Sequence, residues 1–257
     1  VGARRRGYTP EGFKLFAERI GVSKADSWID YATLEDCMRE VLNISAPRRV
    51  AVLDPLKLII NNYPEGQEED CFAPNHPLNE ALGKRTLKLT KELWIEREDF
   101  MAEPVEKYFR LFPGNQVRLR YGYVVSCTGF DRDPKGNVSV VYCDYLPDTK
   151  SGTEGANSIK VKGNIHWLSA KHAIDAQVNQ YDRLFKEDHP GSKTDNYLDD
   201  LNPNSLSTVS VKLEENCLSV ASGDQFQFER HGYFICDSNQ NAGILFNRTT
   251  TLRDTWQ

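Results

Sequence analysis

The chain has 257 residues, 39% of them hydrophobic and 27% charged, with a formal net charge of -5. That is enough for two or three soluble domains, and no apolar run is long enough to span a bilayer. The acidic balance excludes indiscriminate polyanion binding, which needs broad positive charge, so any nucleic-acid binding has to rest on a few placed cations.

The first residues, Val1-Gly2-Ala3-Arg4-Arg5-Arg6, are not a signal peptide, and the lack of an initiator Met fits a trimmed or excised segment. Arg4 to Arg6 suit either a solvated basic start or contact with a nucleic-acid backbone. Thr9-Pro10-Glu11 then starts a helix, with Thr as N-cap, Pro in the first turn and Glu favoured by the macrodipole. Phe13, Phe16 and Ile20 follow at helical spacing, and Gly21 is placed to stop it. A second helix is expected over 31–43, with Leu34, Cys37, Met38, Val41 and Leu42 on one stripe. Ala46-Pro47 ends the helical part, because proline disfavours helix in the residue before it.

From Arg48 the pattern changes to short strands and turns. Strands are expected over 50–52, 56–61, 86–90, 93–96 and 117–127. A turn at 131–137 joins the last of these to a strand over 138–145. A polar loop over 147–157 leads to strands at 159–161, 165–168 and 176–185. A second loop, 188–196, precedes strands at 207–213, 225–229, 233–237 and 244–247. The expected fold class is mainly β, a short helical segment followed by two β-barrels. The segment 1–47 is the end of a helical subdomain and 48–160 a proximal barrel that also takes returning C-terminal strands. Residues 161–257 form a distal barrel and then return to the proximal one.

The search for chemistry gives no phosphate loop, no dinucleotide fingerprint, no H-E-x-x-H and no G-x-S-x-G. Six cysteines lie far apart without a C-x-x-C pair, which predicts reduced thiols and no metal. The histidines read as structural or surface residues, and the sequons at Asn43, Asn137 and Asn247 as chance. The stretch 107–125 holds the most localised positive charge. Pro113-Gly114 marks a turn, and alternation in the strand after it points Arg118 and Arg120 the same way, with Arg110 just before the turn. Guanidinium forks suit phosphates and the acceptor edge of guanine. An RNA-binding face and a solvated outer strand face both fit. So far the residues describe a binding module whose ligand could be RNA, carbohydrate or protein.

Longer motifs narrow this. A-R-R-R-G-Y-T-P-E-G at the start, L-N-I-S-A-P-R-R-V-A-V-L-D-P from Leu42 and P-N-H-P from Pro74 resemble the C-terminal half of the glutaminyl-tRNA synthetase family. V-R-L-R from Val117, V-K-G-N-I-H-W-L-S-A from Val161, Y-D-R-L-F from Tyr181, F-Q-F-E-R-H-G-Y-F from Phe226 and F-N-R-T-T-T-L-R-D-T-W from Phe246 continue it in the family's order. The resemblance covers essentially the whole chain.

It implies ribosomal-protein-like anticodon-binding barrels of a cytoplasmic class I aminoacyl-tRNA synthetase. The parent enzyme would ligate glutamine to its tRNA with ATP and Mg2+. The family's His-Ile-Gly-His and Met-Ser-Lys signatures do not occur among these residues, so this stretch is expected to bind without catalysing and to hold no cofactor or metal itself. The implied partner is the anticodon loop of glutamine tRNA, gripped by a monomer that uses neither DNA nor a membrane. Carried over position by position, the implied tRNA-binding residues are Arg48, Arg110, Arg118, Arg120, Gln227, Glu229, Arg230 and Thr255. Phe109, where some relatives have Lys, and Leu78, where some have Asn, depart from the pattern.

Sequence-specific RNA recognition targets unstacked loop bases, and a glutamine side chain supplies the donor and acceptor that a uracil edge requires. Glu229 is expected to orient Arg230 or a base amino group. Gln227 and Arg230 are three apart, so joint use requires the strand to end near Glu229, with His231-Gly232 turning the chain. A related glutamate-specific synthetase and a stand-alone RNA-binding β-barrel protein are the alternatives.

Overall fold

In a computed structural model, residues 1–24, 27–193, 195–240 and 243–253 are described. The fold is mainly β with a short helical segment, and its two larger sheets form a near-closed and a half barrel. The chain divides into two compact units.

One unit holds Pro47–Asp175 and Val211–Ser219. Its strands are β1 (Arg48–Arg49), β2 (Ala51–Val52), β3 (Pro55–Ile60), β4 (Glu69–Pro74), β5 (Lys84–Leu89) and β6 (Glu92–Glu96). They are followed by β7 (Gln116–Leu119), β8 (Val124–Arg132), β9 (Val138–Tyr145), β10 (Gly163–Ile165) and β11 (Leu168–Ser169). Seven of these form one sheet in the order β10-β7-β8-β9-β3-β6-β11, while β4 and β5 pair by themselves. The alternation in β3 shows why the sheet curls over a core. Leu56, Leu58 and Ile60 point inward, with Leu56 and Leu58 opposite Ile95 and Leu93. Lys57 lies outside opposite Trp94, its ammonium 5.5 Å from the ring centre. Trp167, Tyr63, Val117, Leu119, Val125 and Val141 complete that core.

A buried ion cluster also holds this unit. Glu214 lies 2.8 Å from Arg85 and 3.3 Å from Arg49, and it accepts the backbone N–H of Val50 at 2.8 Å. Removing one partner of such a cluster leaves an uncompensated buried charge.

The turn after β8 forms as expected. Asp133 accepts the backbone N–H groups of Lys135 and Asn137, both at 2.9 Å. Three expectations change. Residues 117–127 are not one strand, because the chain turns at Tyr121, whose φ of 66° is left-handed. The expected strand at 159–161 lies later, as β10, which pairs parallel to β7 with Gly163 opposite Val117. A Cβ at Gly163 would sit 2.1 Å from the Phe109 carbonyl oxygen, so only glycine lets the two segments approach. β4 was not expected, since its charged first residues and final proline hide an alternation that buries Cys71 and Ala73.

The other unit holds Val1–Ala46, Ala176–Ser210 and Val220–Gln257. It contains α1 (Gly2–Arg5), α2 (Pro10–Ile20) and α3 (Tyr31–Ser45). Thr9 caps α2 by accepting the Gly12 N–H at 3.0 Å, and Asp30 caps α3 by accepting that of Ala32 at 2.8 Å. Its strands are β12 (Ile174–Tyr181), β13 (Leu206–Leu213), β14 (Gln225–Phe228), β15 (Gly232–Gln240) and β16 (Gly243–Thr250). β14, β15 and β16 are antiparallel neighbours, and β12 runs parallel to β16. The apolar faces meet in an aromatic cluster: Phe228 stacks on Phe234 at 4.4 Å and meets Phe246 edge-on at 5.0 Å. Tyr8, Met38, Leu42, Ala46 and Tyr233 form a second patch of core.

In this division the helices share a unit with strands from the C-terminal third, and the chain changes unit near Ala176. Helix stripes have to bury against something, and here that is the Tyr233 end of β15.

Candidate nucleic-acid interface

Four of the expected site residues, Arg48, Arg110, Arg118 and Arg120, lie in the first unit described. The chain turns at Tyr121, so Arg118 lies within β7 and Arg120 just past its end. Arg118 is half-buried, and Nη1 donates to the Thr149 carbonyl at 2.7 Å while Nη2 donates to that of Ala156. Burial lowers its pKa. Its donors therefore fasten the loop 147–157, which the sequence read only as polar linker.

Arg120 lies past the end of β7 with its guanidinium 5.2 Å from the Tyr121 ring centre. Its carbonyl accepts the Trp167 indole N–H at 2.8 Å, so the backbone at this position is anchored to the core. Arg110 makes ion pairs of 2.9 Å with Glu98 and with the fully buried Asp99. Arg48 is buried, its N–H donating to the Asn75 carbonyl at 2.7 Å. The guanidinium groups of Arg110 and Arg118 are thus held in place by partners in their own unit.

Close to Arg110 in the chain, an open cavity of about 520 Å³ is lined by Tyr108, Phe109, Phe112, Gln116, Lys160 and Lys162 among others. Lys162 sits 5.0 Å from the Phe109 ring centre. Lys162 therefore sets an ammonium above the ring of Phe109. Half-exposed aromatic rings beside ammonium groups are what stack and clamp an unpaired base. Sequence reasoning missed Phe112, Gln116, Lys160 and Lys162. The signal was present in the alternation Lys160-Val161-Lys162, but without β10 beside β7 nothing connected it to residues 108–116.

The second unit carries Gln227, Glu229 and Arg230. In β14 Phe226 and Phe228 face the core, while Gln225 and Gln227 share the other face. Gln225 Nε2 donates to the Gly7 carbonyl at 2.6 Å. Gln227 Nε2 donates to the Tyr233 hydroxyl at 2.9 Å, and that hydroxyl donates to Asn43 Oδ1 at 3.3 Å. This relay fixes how the Gln227 amide is turned.

β14 ends at Phe228, and the chain reverses through Glu229, Arg230 and His231, with the His231 N–H donating to the Phe228 carbonyl at 3.0 Å. The strand end needed for joint use of Gln227 and Arg230 is therefore present. The pivot is more than Gly232, since Arg230 itself has a left-handed φ of 72°. Glu229 is buried with 3% exposure, so it faces protein rather than solvent. Thr255 lies outside the described residues. In the opening basic run, Arg5 pairs with Asp237 at 2.6 Å, and Arg6 with Glu35 at 3.4 Å, so both are engaged within this unit.

Comparison with known proteins gives concordant matches. Residues 46–146 match the family model described as tRNA synthetases class I (E and Q), anti-codon binding domain, and residues 164–237 match a second model of the same description. Over its full length the chain is 58% identical to the glutamine–tRNA ligase of Cupriavidus metallidurans, 56% to that of Bordetella pertussis and 53% to that of Nitrosomonas europaea. It spans 44%, 44% and 47% of those proteins, slightly under half of each.

Proposed function

Because this chain belongs to the anticodon-binding domains of the class I tRNA synthetases (E and Q), we propose that it grips the anticodon loop of glutamine tRNA. It does so as part of a monomeric cytoplasmic ligase that joins glutamine to that tRNA using ATP and Mg2+. The observation that carries the choice of glutamine is the 58% identity, across the whole chain, to a protein named glutamine–tRNA ligase. ATP and Mg2+ belong to the parent enzyme, and no residue of this chain is assigned to hold them.

In this reading Gln227 reads a base. With Nε2 committed to Tyr233, the amide is oriented so that its carbonyl oxygen accepts from a base N–H. Arg230, lifted out of the strand direction by its left-handed backbone, grips a phosphate or base edge beside it, and Glu229 supports that turn. Arg110 and Arg120 supply cationic donors on the other unit, with the Phe109–Lys162 cavity as a place for an unstacked base. Arg118 and Arg48 act by positioning, Arg118 by holding the loop 147–157. Thr255 remains assigned through the family pattern alone.

A titration with glutamine tRNA and an anticodon-swapped transcript tests the assignment. Gln227→Ala should weaken binding of the cognate anticodon by about 1–3 kcal/mol and of the swapped one by much less. Equal losses on both RNAs would show that Gln227 packs rather than reads. Preferential binding of glutamate tRNA by the unmodified chain would instead move the assignment to the glutamate-specific branch of the same family.

A further inference from the structure

Two of the six cysteines face each other across adjacent strands. Cys127 of β8 is the register partner of Cys143 of β9, and both side chains are buried in the same core. The backbone bonding decides which kind of pair this is. Cys127 donates its N–H to the Asn115 carbonyl and accepts the Gly114 N–H, both at 2.9 Å, so both its polar groups point away from β9. The Cys143 carbonyl accepts the Asn61 N–H at 2.8 Å, on the β3 side, so it points away from β8. Cys127 and Cys143 therefore form a non-hydrogen-bonded antiparallel pair. In such a pair the Cα atoms lie roughly 4.5 Å apart with side chains close together. A disulfide accepts Cα separations of roughly 4.4–6.8 Å, and the spacing of a non-hydrogen-bonded pair falls within that range.

We propose that Cys127 and Cys143 are a redox-active dithiol that closes to a cross-strand disulfide when the chain meets hydrogen peroxide. Hydrogen bonding with the Cys143 thiol holds the Cys127 pKa below the ordinary thiol value, whereas Cys143 is pushed well above it, first by the bond to Cys127 and then by burial. Cys127 is the sulfur beside the register shift at Thr128, so an opening of the ladder there exposes it first and makes it the attacking sulfur. Cys71 and Cys236, by contrast, are pushed up to about 11 by burial.

In the first step the Cys127 thiolate attacks a peroxide oxygen. A sulfur–oxygen bond forms, the oxygen–oxygen bond breaks, and the departing hydroxide takes up a proton to leave as water. In the second step the Cys143 sulfur displaces hydroxide from that sulfenic acid. The sulfur–sulfur bond forms, and the hydroxide leaves as water with the Cys143 proton. The sulfurs lose two electrons to the peroxide, and two waters are released. Both thiols are buried, so the oxidant reaches them through local opening of the β8–β9 ladder. The ladder has a bulge for this, a register shift at Thr128 directly beside Cys127.

The test uses the full chain in its folded state. It is treated with hydrogen peroxide, then unfolded and alkylated, and its peptides are identified by mass. The expected result is a peptide pair linked through Cys127 and Cys143 and four alkylated cysteines instead of the original six. Dithiothreitol should restore all six. Cys127→Ala, treated alike, should keep all five remaining thiols alkylatable, whereas Cys143→Ala should stop Cys127 at the sulfenic acid, leaving four alkylatable thiols until dithiothreitol restores the fifth. The main readout is on the unmodified chain, so a variant that folds poorly does not decide the matter. Six alkylatable cysteines after treatment, a bridge to any other cysteine, or stable over-oxidation of Cys127 without a bridge would each overturn the proposal.

Discussion

Replacing Glu69 with glutamine should destabilise the unit that contains it by about 2 kcal/mol at neutral pH and by almost nothing in strong acid. Glu69 accepts the hydroxyls of Tyr63 at 2.9 Å and Tyr123 at 2.8 Å, the Gln67 amide at 2.9 Å and the Lys150 ammonium at 2.8 Å. Burial opposes its ionisation, but these bonds outweigh it and hold the carboxyl at about 2, against its ordinary 4.5. A displacement of that size corresponds to about 3 kcal/mol. Since a fifth of the side chain stays open to solvent screening, about 2 kcal/mol is the better expectation.

The sign follows from the direction. The folded carboxyl is more acidic than the unfolded one, so its contribution is complete above 4.5 and disappears as the pH falls through about 2. The assay is urea unfolding of both chains, followed by tryptophan fluorescence, at about pH 7 and about pH 2, to compare their midpoints. The unmodified chain should be the more stable at neutral pH, and the gap should close in acid. A gap that stays constant across pH would show that glutamine merely packs badly. No gap at neutral pH would show that the cradle of donors contributes nothing.

Arg118→Ala should loosen the loop 147–157 and cost about 1–3 kcal/mol, because the Thr149 and Ala156 carbonyls that it now satisfies lose its donors; faster amide exchange at 149–156 without a change at 225–232 checks this. Gly232→Ala should cost more than about 1 kcal/mol, since φ is 141° there and a Cβ would sit 2.3 Å from the Thr250 carbonyl oxygen; a thermal midpoint unchanged from the parent would refute it. Tyr233→Phe removes the hydroxyl that orients Gln227 and should reproduce part of the Gln227→Ala loss on the cognate anticodon, about 1 kcal/mol. Binding titration checks it, and full cognate affinity would show that the relay to Asn43 does not set the amide.

Sequence and structure divide the explanation of this protein unevenly. Local chemistry was legible wherever a few neighbouring residues decide the geometry. Thr9-Pro10 with Gly21 bounds α2, and the turn expected at 131–137 rests on Asp133 and Gly136. In each case the deciding hydrogen bond spans four residues or fewer, so the sequence contains both of its ends. Family membership was legible for a different reason, since long ordered motifs such as F-Q-F-E-R-H-G-Y-F identify relatives whatever their contacts are.

What pairs distant residues was decided only by the tertiary structure. The alternation around Arg118 and Arg120 looked like one strand, and nothing local announces that Tyr121 takes a left-handed turn to bring β8 back on β7. Arg118 looked like an available cation, but its partners at Thr149 and Ala156 lie some thirty or more residues away. The Gln227–Tyr233–Asn43 relay and the Cys127–Cys143 pair are likewise invisible until the strands are set in register. By itself the sequence determined which residues could form helices, turns and strands, and which relatives share them. The tertiary structure decided which charges are already committed and which remain to meet a ligand, because a guanidinium or thiol acquires its role from neighbours that only chain reversal brings within bonding distance.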